Sequence, residues 1–116
     1  MPTDRGFEIP KEAELVEFFG REPVERSVED GFWSFAVTDK RGVKLRFSFN
    51  LHERSVQTML SVGEAVIETV SHELAARLQI KGTQLQTTFN GSDTKTLLVV
   101  EITPSIKIAW STLQTQ

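Results

Sequence analysis

The chain of 116 residues has no cysteine and no tyrosine, and only two histidines. Without cysteine, a disulfide framework, thiolate chemistry and cysteine-ligated zinc or iron–sulfur centres are excluded, and the composition fits a reducing compartment. A metal would have to be held by two histidines and carboxylates, so neither a metal site nor a cofactor is expected. No run approaches the ~20 apolar residues that a membrane-spanning helix requires. Met1 to Gly6 also lacks the basic and apolar regions of a signal peptide. The expectation is a soluble, cytoplasmic protein that does not act on membranes. The seven glycines are scattered rather than gathered into a phosphate-binding loop, and no Gly-x-Ser-x-Gly elbow occurs.

Positive charge is in short supply as well. Thirteen Lys plus Arg stand against sixteen Asp plus Glu, a formal net charge of −3. That balance argues against a binder of phosphate backbones, so nucleic acid is not the expected partner. Eight Phe and two Trp without a single Tyr are aromatics suited to burial, since recognition surfaces usually include tyrosine. A chain of this length forms one domain, residues 1–116, and buries roughly two thirds of the surface its unfolded form exposes.

The clearest pattern is a β-hairpin. Trp33, Phe35 and Val37 alternate with Ser34, Ala36 and Thr38, and Val43, Leu45, Phe47, Phe49 and Leu51 alternate with Lys44, Arg46, Ser48 and Asn50. A period of two marks strands with one buried face. Asp39-Lys40-Arg41-Gly42 fits a type I turn closing on a left-handed glycine. That register sets Val37 opposite Leu45, Phe35 opposite Phe47 and Trp33 opposite Phe49, with Lys44 and Arg46 on the other face.

Before the hairpin, residues 1–8 read as a loose lead-in and residues 10–19 as a helix, with Pro10 as its first residue and Gly20 as its stop. Leu15, Val16, Phe18 and Phe19 form its apolar stripe, which must dock on the sheet because so short a helix is unstable alone. Arg21 to Asp30 is an exposed charged connection or a short edge strand. After the hairpin, Ser55–Val62 and Ala65–Ser71 read as a second pair around Gly63-Glu64, with Leu60 beside Ile67 and Val62 beside Ala65. Residues 71–78 read as a strand with an irregular start. Gly82 marks a bulge or bend before a strand over 84–89, and Asn90-Gly91-Ser92-Asp93 a turn. Leu97 to Val100 is apolar on both faces and suggests a central strand covered on both sides. A final strand carries Ile106, Ile108 and Trp110, and Thr112 to Gln116 should fray. The sum is an α+β, mainly-β fold: an N-terminal helix packed on a strongly curved antiparallel sheet, or partly open barrel, of about seven strands.

Two His-Glu pairs, His52-Glu53 and His72-Glu73, invite a catalytic or metal reading. A zincin helix needs a second histidine four residues after the first, and Val56 and Ala76 occupy those places. Both histidines are therefore read as surface residues at strand ends, and no catalytic residue is assigned. Lys40, Arg41, Lys44 and Arg46 place four positive charges in seven residues, with Phe32 on the same outward face as Lys44 and Arg46. These five residues are the candidate partner-binding surface, with the Arg21 to Asp30 segment as a further candidate contact.

In format, a small acidic domain of short strands resembles bacterial accessory proteins such as toxin-immunity factors, which mask a partner's surface. That resemblance implies a non-enzymatic protein-interaction module with another protein as partner. An exposed sheet edge would also offer a route to a homo-oligomer. The alternative is a carrier of a small apolar ligand in a cavity between helix and sheet.

Overall fold

The computed structural model describes residues 6–114. One helix, α1 (Glu12–Phe19), precedes nine strands: β1 (Glu25–Ser27), β2 (Phe32–Thr38), β3 (Val43–Asn50), β4 (Ser55–Val62), β5 (Ala65–Glu73), β6 (Ala75–Lys81), β7 (Gln84–Asn90), β8 (Thr94–Glu101) and β9 (Lys107–Gln114). They form two antiparallel sheets in strict sequence order, β1-β2-β3-β4-β5 and β6-β7-β8-β9, and the sheet does not close. This is the mainly-β α+β class expected. Nine strands form rather than about seven, the charged connection supplying β1, and the boundary between β5 and β6 falls at Leu74. Leu74 has φ 69°, a left-handed turn that swings the chain from one sheet into the other. The Leu74 carbonyl accepts from Asn90 N–H at 3.0 Å, so this strained corner is anchored.

The hairpin register is the one the alternation dictates: Trp33↔Phe49, Phe35↔Phe47 and Val37↔Leu45 are direct cross-strand partners. Gly42 closes the turn at φ 85°, a conformation in which a Cβ is strained. Phe35, Leu45 and Phe47 are fully buried and Phe49 nearly so. From the second sheet, Leu78, Leu85, Phe89, Leu98 and Val100 join them in one apolar core. Helix α1 covers this core from one side. Leu15 and Phe19 are buried, and the Phe19 ring stacks on Phe35 at 4.6 Å. Glu12 holds the start of the helix by accepting from Trp33 Nε1 at 2.8 Å and from Arg26 at 2.6 Å. Gly20 ends it in the left-handed conformation at φ 74°.

Several local expectations are corrected. The helix starts at Glu12, not Pro10, with Lys11 extended in front of it. The reason lies upstream, where the supposed lead-in is tied to the free edge of β6: Glu8 N–H donates to Ala76 at 3.0 Å and Leu78 N–H donates to Glu8 at 2.8 Å. Phe7 is buried and meets Phe49 edge-on, and residues 1–5 lie outside the described residues. Val62 faces Ala65 as expected, but Leu60 faces Glu68, because a bulge leaves Ile67 as an extra residue on β5. A second irregularity between Ala75 and Arg77 breaks the alternation expected there, so Ala75 and Leu78 are the buried residues of β6.

Gly82 belongs to a tight two-residue turn that sets Lys81 opposite Gln84. Strand β8 is covered on one face only: Thr96, Leu98 and Val100 are buried, whereas Leu97 and Val99 stay half-exposed on the other. The expected frayed tail is strand as far as Gln114, paired with Thr94, and Thr112 Oγ1 lies 3.1 Å from Thr96 Oγ1.

Candidate interaction surface

Cross-strand pairing stacks side chains in rows, and the rows on the outward face of the five-stranded sheet are dominated by small polar groups. One row runs Glu25, Ser34, Ser48, Gln57, Ser71, and the next Ser27, Phe32, Asn50, Ser55, Glu73. Small side chains in register lower the floor of the sheet. The rows beside them carry Arg46 and Met59, also direct partners. The result is a groove of about 700 Å³ bordered by Glu25, Phe32, Arg46, Glu53, Met59 and Glu73. Its floor is internally satisfied: Ser34 and Ser48 hydroxyls share a hydrogen bond at 2.9 Å, and Gln57 Nε2 donates to Ser71 Oγ at 2.9 Å.

The five candidate residues divide into two groups. Phe32 and Arg46 both line the groove. Arg46 is half-buried rather than freely solvated: its Nε donates to the buried Ser34 hydroxyl at 2.8 Å and its Nη2 pairs with Glu25. Lys40 and Lys44 lie toward the turn, both exposed, and among the described residues neither has an ion-pair partner. Arg41 sits in the same turn but is committed to the fold.

Asp39, read from sequence only as the first residue of a turn, is the centre of that commitment. Its side chain is 2% exposed and forms an ion pair with Arg41. Oδ1 accepts from Arg41 N–H and Val43 N–H, while Oδ2 accepts from the Arg41 guanidinium and, at 3.0 Å, from Ile106 N–H. Arg41 Nη2 in turn donates to the Ile106 carbonyl at 3.0 Å. This reciprocal clamp ties the tip of the β2–β3 hairpin to the chain entering β9. The Ile106 N–H is the main cause holding the Asp39 carboxyl well below the usual carboxylate range; burial opposes it, and Arg41 and Val43 reinforce it. A carboxylate four residues before an apolar strand gives no sequence signal that it reaches a segment 67 positions away.

His52 is exposed, as expected, whereas His72 departs from the surface reading. His72 is half-buried on the inward row with Val56; its ring lies 4.4 Å from Phe89 and 5.9 Å from Trp110, bridging the two sheets. Its Nδ1 is 2.8 Å from the Glu73 carbonyl, and His52 Nε2 is 3.2 Å from the Glu29 carbonyl. Among the described residues, no three His, Asp or Glu side chains are grouped to hold a metal ion. No helix among them is long and apolar enough to cross a membrane.

No protein-family model and no curated protein matches the sequence. The fold does have a solved counterpart. It is similar, with a TM-score of 0.83 and 23% identity, to a chain of the contact-dependent growth inhibition toxin–immunity protein complex from Klebsiella pneumoniae 342. The similarity covers 91% of this chain and 96% of that one, so the two share the whole architecture rather than a fragment.

Proposed function

We propose that the protein is a non-enzymatic interaction module of the immunity type, which binds a toxin-like protein in the cytoplasm and covers its working surface. The observation that carries this reading is the fold shared end to end with a chain of a toxin–immunity complex. The chemistry of the chain supports the covering role over the toxic one. Both histidines are engaged by carbonyls, and His72 is packed among aromatics, so neither is poised as a general base. The outward face of β2 and β3, with the turn between them, is the docking side, with Phe32, Lys40, Lys44 and Arg46 as its contacts, while Arg41 holds the turn in place. Strand β5 adds a free edge with exposed Val66 and Ile67, open to self-association or to a partner's strand. The carrier alternative needs an enclosed cavity beneath the helix; Leu15 and Phe19 are buried there, and the clefts that flank the helix, lined by Phe19, Val37 and Ile106 on one side and Phe18 and Ile80 on the other, are open.

The test is capture of a partner from lysate of the source cells on the tagged protein, followed by mass spectrometry. One stoichiometric protein that is toxic when expressed alone supports the proposal. Capture of no protein, with a small molecule retained in native mass spectrometry, contradicts it and favours the carrier.

A further inference from the structure

The groove on the five-stranded sheet carries a charge opposite to that of the Lys40–Lys44 end of the same face. Three carboxylates border it, Glu25, Glu53 and Glu73, against the single guanidinium of Arg46. Arg46 is already spent on Glu25 and Ser34. Glu53 and Glu73 are exposed, and among the described residues neither has an ion-pair partner. The half-buried Phe32 and Met59 line the same groove. An aromatic face and a thioether in one groove with free carboxylates suit a segment bearing long cationic side chains, whose stems lie on apolar atoms while their heads pair with oxygen. The volume, about 700 Å³, lies in the range of true binding clefts, ~300–1,000 Å³, and holds several such side chains.

From this we infer that the groove receives an arginine- or lysine-bearing segment of the protein partner, inserted between Phe32 and the Glu53–Glu73 end. The inference rests on the interaction-module reading and adds the chemistry of the partner. The face is then bipolar: the groove takes a basic segment, and Lys40 and Lys44 meet an acidic one beyond its rim. Such an arrangement fixes the orientation of docking, because a partner turned end for end would place like charges together.

A blocked tetra-arginine peptide tests the groove without a partner in hand. In amide NMR titrations at low salt, its shifts should concentrate on Phe32, Ser48, Gln57 and Ser71 and fade as salt rises. The double variant Glu53→Gln/Glu73→Gln should bind about fivefold to tenfold more weakly, the size of two exposed ion pairs. Glu14→Gln/Glu17→Gln, on the exposed helix face, should bind as wild type does. Unweakened binding by the groove variant, or shifts centred on the helix, would overturn the inference. A partner captured from lysate that binds the groove variant with unchanged affinity overturns it too, leaving the interaction module intact. Failure to capture any partner counts against the module, while the peptide result still decides the groove.

Discussion

Asp39 shows how one buried carboxylate can serve two distant segments. It shapes its own turn, pairs with Arg41 and receives the Ile106 N–H from the connection that enters β9. Its folded-state pKa is depressed below the unfolded value, about 3.9. The stabilisation is therefore fully present above the unfolded pKa and is lost as pH falls below it. Asp39→Asn should lower the urea midpoint at neutral pH. Between about pH 5 and pH 2, wild type should lose more of its midpoint than the variant does. Parallel curves for the two proteins would mean that Asp39 is not tied as described. Inward and outward residues of the hairpin should also separate: Phe47→Ala is expected to cost about 3–5 kcal/mol. Lys44→Ala, exposed and unpaired among the described residues, should stay within about 0.5 kcal/mol.

Elements with a strong local signature were legible in the sequence. The β2–β3 pairing followed from alternation and from the Asp39-to-Gly42 turn, and Gly42 sits at φ 85° as that turn demands. Gly42→Ala should therefore destabilise by about 1 kcal/mol without a change in fold, measurable as a shift in urea midpoint at constant slope. An unchanged midpoint would mean that the turn relaxes to accept a side chain. Elements set by distant partners were not legible. Nothing near Phe7 and Glu8 announces that they dock on Phe49 and Arg77. The bulges that displace Ile67 and shift Ala75 likewise appear only in the pairing with β4 and β7. Alternation cannot register a skipped residue, so each bulge moved the expected inward face by one position.

At the scale of the molecule, a nine-strand meander folded into two sheets leaves one broad face uncovered by the helix. The candidate site was half legible there. Outward positions Phe32, Lys44 and Arg46 followed from the hairpin, but the groove did not, because its far wall is Glu53, in the β3–β4 turn, and Glu73, brought across by the β4–β5 register. Small serines on three successive strands were the available signal, and only a known register turns them into a trough. The proposal that this face masks another protein rests on a fold shared with a chain of a toxin–immunity complex.

Growth rescue tests that central claim most directly. The protein captured from source-cell lysate is expressed from an inducible promoter in a bacterial host, with and without this chain. The account predicts growth arrest by the captured protein alone and restored growth on co-expression, weakened when Glu53 and Glu73 are replaced by glutamine. Arrest that persists despite abundant, soluble co-expressed protein, or a captured protein with no effect on growth, would contradict it.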